Sequence, residues 1–239
     1  MKLSIISEIG INHNGDFRLI EELVRQSKSG GADFAKFQLY DSVRVFGDES
    51  RKKNEFTFNQ VKDIKDICDT YGIEFFASVF DEEKLQWCLD LNVKNFKVAS
   101  RTLVKEPDLF EKIIKTGINS YVSLGMWKED LLLSTLPNVF YFNCISKYPT
   151  SINYLSEHQY YSYDNRVVGL SDHGYGISNC LYHIALGANV IEKHFTLNKS
   201  SQGNDHIGSM DLKELCDLRR MGDEILICRN KTKELKRIP

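Results

Sequence analysis

The sequence has no apolar run near the roughly 18 residues that a membrane span requires. Its first stretch, MKLSIISEIG, meets Glu8 too early to form the apolar core of a signal peptide. A cytoplasmic protein with no membrane partner is expected. Neither sign of charge predominates. The formal net charge is −2, which removes the electrostatic basis for binding nucleic acid. The six cysteines (Cys68, Cys88, Cys144, Cys180, Cys216 and Cys228) include no CxxC pair. They are expected to be reduced thiols, mostly on buried helix faces. Low-complexity segments are absent too.

What is present is a regular alternation. Eight apolar, β-branched-rich runs occur: Leu3–Ile9, Asp33–Gln38, Glu74–Ser78, Asn95–Ser100, Ser120–Leu124, Val139–Cys144, Arg166–Ser171 and Val190–Phe195. Several are apolar almost throughout, as strands buried on both faces are. Between most of them lie helical stripes, such as Val61, Ile64, Ile67, Cys68 and Tyr71, or Ile177, Cys180, Leu181, Ile184 and Ala185. Gly30, Gly72, Gly117 and Gly187 follow these stripes where helix-ending glycines belong. Two connections are weaker: Lys128–Ser134 predicts a short helix at most, and Ile152–Tyr161 is rich in Tyr and Ser. Eight strand–helix alternations predict an α/β fold, a single (β/α)8 TIM barrel, with a doubly wound open sheet as the alternative. At 239 residues the chain is close to the about 250 of one barrel, which leaves no room for a second domain. The barrel should span 1–239, with a basic, fraying tail from about 229.

Polar side chains are costly inside buried strands, and here they gather at strand ends. Glu8 closes the first run, Lys36 and Gln38 the second, Ser78 the third, Lys97 and Ser100 the fourth and Ser123 the fifth. Cys144, Ser146 and Tyr148 follow the sixth. Asp172 and His173 follow the seventh, and Glu192, Lys193 and His194 lie on the eighth. In a closed barrel these ends share one mouth, where active sites sit, so an enzyme is expected. His173 and His194, from neighbouring strands, could be satisfied core histidines or ligands of a divalent metal such as Mn²⁺, Zn²⁺ or Co²⁺. Asp205 and His206 could add to the same mouth. Lys36 and Lys97 need anionic partners. These could be Glu8 or Glu192, or a multiply charged ligand such as a phosphate ester, and Schiff-base chemistry is a third use. Ser100, Ser123, Ser146 and Ser171 add hydroxyls of the kind found in phosphate sites. INHNGD (11–16) reads as a βα loop with an Asn14–Gly15 turn and Asp16 as the next N-cap.

Read in order, SEIGINHNGD, GADFAKFQ, FKVAS, SLGM, CISKYPT, GLSDHGYG, GANVIEKHFTL and NDH resemble the motifs of the N-acetylneuraminate (sialic acid) synthase family, whose members also make legionaminic and pseudaminic acids. The resemblance runs from about Ser7 to about Met221. It implies a transferase in carbohydrate biosynthesis that condenses phosphoenolpyruvate (PEP) with a sugar aldehyde, with C–O cleavage of PEP. The product would be a nonulosonic-acid-like 2-keto-3-deoxy acid, plus phosphate. By the same resemblance His173 and His194 are metal ligands, for Mn²⁺ first, with Mg²⁺, Co²⁺ or Zn²⁺ as alternatives. Glu8 is the proton acceptor near the reacting carbons. Lys36, Ser78, Lys97, Ser100, Ser123, Ser146 and Ser171 are PEP-binding. Gln38, Tyr148 and Asp205 bind the sugar, and Asp205 also counts among the catalytic residues.

The resemblance further implies a homodimer. Family members usually continue into an antifreeze-like domain that contributes an arginine to the sugar site, and no such domain is found up to Pro239. That difference, Ser146 where Asn is common, and Arg101 after Ser100 all predict an altered acceptor. A regulatory or binding barrel, or one subunit of a split synthase needing a separate lid protein, is the alternative function.

Overall fold

The computed structural model describes residues 2–129, 132–153 and 160–235, the side chains of 232–235 excepted. Eight parallel strands close into a barrel in chain order: β1 (Ser4–Gly10), β2 (Phe34–Leu39), β3 (Glu74–Val79), β4 (Asn95–Val98), β5 (Asn119–Ser123), β6 (Val139–Cys144), β7 (Val167–Asp172) and β8 (Val190–His194). β8 pairs with β1 to complete the circle, with His194 opposite Glu8. On the other side of β1, Glu8 stands opposite Lys36. The helices are α1 (Ile20–Ser29), α2 (Ser42–Phe46), α3 (Phe58–Tyr71), α4 (Glu82–Asp90), α5 (Ser100–Lys105), α6 (Pro107–Lys115), α7 (Ser178–Leu186) and α8 (Leu212–Leu235).

The alternation of side chains along each strand sorts the core into two bodies. Outward-facing residues such as Ile5, Ala35, Phe37, Ala77, Val98 and Ile191 pack against the helices in one large cluster. Inside the barrel, Ile6, Phe76 and Phe142 form a second cluster, joined by Phe34, Tyr121, Val168 and Val190. Its rings interlock, with Tyr121 5.7 Å from Phe76 and 5.4 Å from Phe142 between centroids. This aromatic plug fills the lower barrel, so the inward residues nearer the C-terminal strand ends sit on a dry floor.

Three differences from the sequence reading have physical causes. The fourth strand stops at Val98, and Ser100 instead opens α5. That helix ends before Pro107, whose ring keeps Glu106 out of the helical region (φ −130°, ψ 59°). The short α2 is set by local capping rather than by an apolar stripe: Asp41 accepts from the Arg44 amide, and Gly47 closes the helix at φ 84°. No helix occurs in the described part of Lys128–Ser134, and most of Ile152–Tyr161 lies outside the described residues. The tail does not fray at 229. α8 runs through Leu235, and the Arg229 guanidinium donates to the carbonyls of Ile184 and Ala188, pinning α8 to the end of α7. Four cysteines are buried as expected, but Cys216 and Cys228 are exposed on α8. The INHNGD loop forms the expected turn, with Asn14 at φ 52°, Gly15 at φ 81° and Asp16 accepting from the Arg18 amide. Asn12 donates to Phe195 O at 2.8 Å and ties the loop to the end of β8.

Gly169 on β7 is required by close packing. A Cβ there would lie 2.3 Å from the Val190 carbonyl oxygen and 2.9 Å from the Phe142 ring. Gly169→Ala is expected to destabilise the barrel by about 1–3 kcal/mol through overpacking, read as a lower urea midpoint with an unchanged denaturant slope.

Candidate active site

The ends of the strands enclose a cavity of about 320 Å³. Its walls bring together every residue singled out from the sequence as catalytic, metal-ligating or substrate-binding: Glu8, Lys36, Gln38, Ser78, Lys97, Ser100, Ser123, Ser146, Tyr148, Ser171, His173, His194 and Asp205. Register explains the convergence. Gln38 pairs with Ser78, Ser78 with Lys97, and Ser171 with Glu192, so adjacent strands deliver these side chains at matching heights.

Four charges form a chain on the cavity floor. Lys36 Nζ lies 2.8 Å from Glu8 Oε2 and 3.5 Å from Glu192 Oε2, and Lys97 Nζ lies 3.7 Å from Glu192 Oε1. All four are at most 4 % exposed. Neutral groups hold them in place. Lys36 donates to Ser78 Oγ (3.0 Å), Lys97 to Ser123 Oγ (2.7 Å), Gln38 to Glu8 Oε1 (2.8 Å) and Ser171 to Glu192 Oε1 (2.7 Å). Burial alone would lower the Lys36 ammonium pKa, but Glu192 and Glu8 outweigh it and raise the value. For Lys97 burial wins: Glu192 offsets it only in part, Lys36 adds repulsion, and the value falls below the usual lysine range. Burial would raise the Glu192 carboxyl, but Lys36 and Lys97 hold it below the usual carboxylate range.

The two imidazoles face each other over this floor, with ring centroids 5.7 Å apart. His173 Nδ1 is 2.8 Å from Ile145 O, an atom that can only accept. The proton therefore sits on Nδ1, which leaves Nε2 as the free donor atom. His194 Nδ1 is buried with no hydrogen-bond partner, and burial holds the ring pKa low against the opposing pull of Asp205 and Glu8. A neutral imidazole with an orphaned nitrogen, beside a second one locked in a single tautomer, suits a divalent metal. No group of three or more His, Cys, Asp or Glu among the described residues stands close enough to hold an ion. His173 and His194 are the residues that would hold such a metal. Tyr148 covers the pair, its ring centroid 4.1 Å from that of His173.

Two strand-end residues and one loop residue do not face the cavity. Lys193 and Asp172 alternate outward and pair with each other at 2.5 Å behind the barrel wall, where Asn179 also donates to Asp172. His206 is buried with Nδ1 2.7 Å from Thr196 Oγ1. Conversely, the cavity includes Phe46, Arg51, Phe80, Met126 and Asn204, which the sequence reading did not select. These lie on connections, where no periodicity marks them.

A sequence model of the NeuB family matches residues 23–233. The chain belongs to the NeuB family. Relatives include the N-acetylneuraminate-9-phosphate synthase of Mus musculus, 33 % identical over 90 % of this chain and 68 % of the mouse protein. The N,N'-diacetyllegionaminic acid synthase of Legionella pneumophila is 31 % identical over 91 % of this chain and 70 % of its own length. Among solved structures, the sialic acid synthetase of Leptospira borgpetersenii superposes with a TM-score of 0.82 at 26 % identity, covering 95 % of this chain and 85 % of that one. This NeuB-family barrel is a sialic-acid-synthase-like enzyme, and no described helix is long and apolar enough to cross a membrane.

Glu192→Gln tests the charge chain. Removing one member of a buried ion pair costs about 3–5 kcal/mol, so the variant should be clearly less stable near neutral pH. Because the folded-state pKa of Glu192 lies below its unfolded value, its contribution is complete above about pH 4.3 and is lost as pH falls toward the folded value. Denaturant titrations across that window should show the gap between variant and parent closing on acidification.

Proposed function

We propose that this NeuB-family enzyme condenses PEP with the aldehyde of an open-chain amino sugar, releasing phosphate and a nonulosonic-acid-like 2-keto-3-deoxy sugar acid. The observation that carries this reading is the single cavity in which two lysines, a row of hydroxyls, a fixed carboxylate and two facing imidazoles meet. Lys97 and Lys36, with Ser78, Ser100, Ser123, Ser146 and Ser171, supply the cations and donors that the carboxylate and phosphate of PEP need. Gln38, Tyr148 and Asp205 line the same cavity and would bind the sugar. Lys97 is ready for an anion: its ammonium is destabilised by burial and by Lys36, and a bound trianion relieves both.

A carbon–carbon bond forms between PEP carbon 3 and the aldehyde carbon, and the aldehyde oxygen takes a proton. Water adds at PEP carbon 2. The carbon 2–oxygen bond then breaks, phosphate leaves, and a ketone remains. Glu8 accepts the proton of the water. Its carboxylate is well placed for this, since Gln38 fixes one oxygen and Lys36 the other. His173 and His194 would hold a divalent metal, Mn²⁺ in the first instance, which supplies Lewis acidity at the aldehyde oxygen. Tyr148 closes over the imidazoles and limits water there. Free thiols, including exposed Cys216 and Cys228, fit a reducing cytoplasm.

The test is phosphate release from PEP over a panel of N-acylated amino-sugar acceptors, with and without chelator. Release should require PEP, aldehyde and metal together, and the bridging oxygen of isotopically labelled PEP should appear in the phosphate. Lys97→Met should raise the PEP KM about tenfold to a hundredfold, the worth of one charge-assisted hydrogen bond. PEP that stays intact across the whole panel with Mn²⁺ present would remove the reading. So would trapping of a lysine adduct by borohydride.

A further inference from the structure

A buried ion pair unused by the chemistry above lies behind the barrel wall, next to both imidazole-bearing residues. Asp172 precedes His173 at the end of β7, and Lys193 precedes His194 on β8. Alternation along the strands turns this pair outward where the histidines turn in. Lys193 Nζ lies 2.5 Å from Asp172 Oδ2 and donates to Gly174 O at 2.7 Å. One ammonium thus grips the residue before His173 and the residue after it, and it belongs to the neighbour of His194. Asn179 donates to Asp172 Oδ1 at 2.7 Å, and the Cys180 thiol lies 3.6 Å from Oδ2, so the first turn of α7 also holds the carboxylate. Lys193 is 1 % exposed and Asp172 3 %.

Register pairing between β7 and β8 ends at Asp172 and Lys193. The two histidines stand one residue past that last rung, so their separation depends on how the rung is held. Their own bonds run to different parts of the barrel. His173 is tied to the connection after β6, its carbonyl accepting from the Thr150 amide at 2.9 Å and its Nδ1 donating to Ile145 O. His194 is tied to β1, where Glu8 stands opposite it, and its carbonyl accepts from the Met210 amide at 2.7 Å. The Lys193 contacts join these two sides. A buried ion pair adds little net stability over well-packed neutral residues, whereas groups behind the ligands of a metal govern how tightly it is held. A metal held by both rings depends on their spacing, 5.7 Å between centroids. We propose that Lys193 and Asp172 are positioning residues, whose ion pair sets the separation of the two imidazoles and through it the affinity for a divalent metal. This rests on the reading that His173 and His194 hold that metal.

The test uses the full chain freed of metal, with Mn²⁺ and Co²⁺ as probes. Lys193→Met alone leaves a buried carboxylate unpaired and loses stability on any reading. The deciding variant is Asp172→Asn/Lys193→Met, which removes both charges and keeps an acceptor for Asn179. Its urea midpoint should stay near the parent's. Its Mn²⁺ affinity, read from the electron-spin signal of free Mn²⁺, should fall about tenfold to a hundredfold. The visible spectrum of bound Co²⁺ should shift as well, which a merely structural role would not cause. Lys193→Arg keeps the charge and should show a smaller loss and shift, and the same measurements on it decide if the double variant does not fold. Parent-like Mn²⁺ affinity with an unchanged Co²⁺ spectrum would overturn the proposal and leave the metal reading intact. His173→Ala and His194→Ala variants that bind Mn²⁺ as the parent does would instead sink the metal reading. A crystal structure of the metal-free variant then decides the pair by itself: imidazole centroids still 5.7 Å apart would overturn its positioning role, and an altered spacing would uphold it.

Discussion

The chain of alternating charges Glu8, Lys36, Glu192 and Lys97 is the constraint around which the upper barrel is arranged. Taking four ions out of water costs several kcal/mol each unless geometry and hydrogen bonds compensate. Here the compensation is spread over five strands. Lys36 on β2 reaches Glu8 on β1 and Glu192 on β8. Glu192 reaches Lys97 on β4, and Lys97 reaches Ser123 on β5. Because the links of Lys36 and Lys97 to Glu192 join strands that are not neighbours, they are satisfied only when the barrel is closed in the correct register. A slip of one residue would turn every one of these side chains outward. The same arrangement that costs stability therefore specifies the geometry of the site.

The aromatic plug below makes this arrangement effective. Phe76, Tyr121 and Phe142 exclude water from the lower barrel, so the charges above rest on a surface of low polarisability and interact more strongly than they would in water. The two layers come from the same strands. β3 carries Phe76 then Ser78, β5 carries Tyr121 then Ser123, and β6 carries Phe142 then Cys144. Each strand thus changes from apolar to polar in two residues along one face. That change marks the boundary between the part of the barrel that holds the fold and the part that does chemistry.

The strands, the closed barrel and the strand-end residues of the cavity could be read from the sequence because buried parallel strands leave a strong local pattern and their C-terminal ends must converge. Two kinds of feature could not. The first is facing. Lys193 looks as functional as Lys36 from its place on a strand, yet its odd position relative to His194 turns it outward to Asp172, and only the register decides that. The second is the connections. Phe46, Arg51 and Met126 line the mouth from segments whose conformation rests on single caps and turns, such as Asp41 and Gly47 around α2. No periodicity points to them. The tail was misread for a related reason: a run of basic residues resembles a solvated end, but Arg229 finds buried carbonyls at the end of α7.

These two kinds of feature divide the labour of the site. The floor is built from strands, and its charged residues are tied to one another across the barrel through Glu192. The rim is built from short helices and loops, where Arg51 and Arg101 can vary without disturbing the register below. On the proposed reaction, the PEP end would meet the floor and the acceptor end the rim. In this chain Arg101 follows directly on Ser100, whose hydroxyl accepts from the Gly125 amide at 3.0 Å at the edge of the floor. One step along α5 thus passes from a fixed group beside the buried lysines to a cation at the mouth. On the proposed reaction, a change of acceptor would fall at that step, with the groups beneath it held by the barrel.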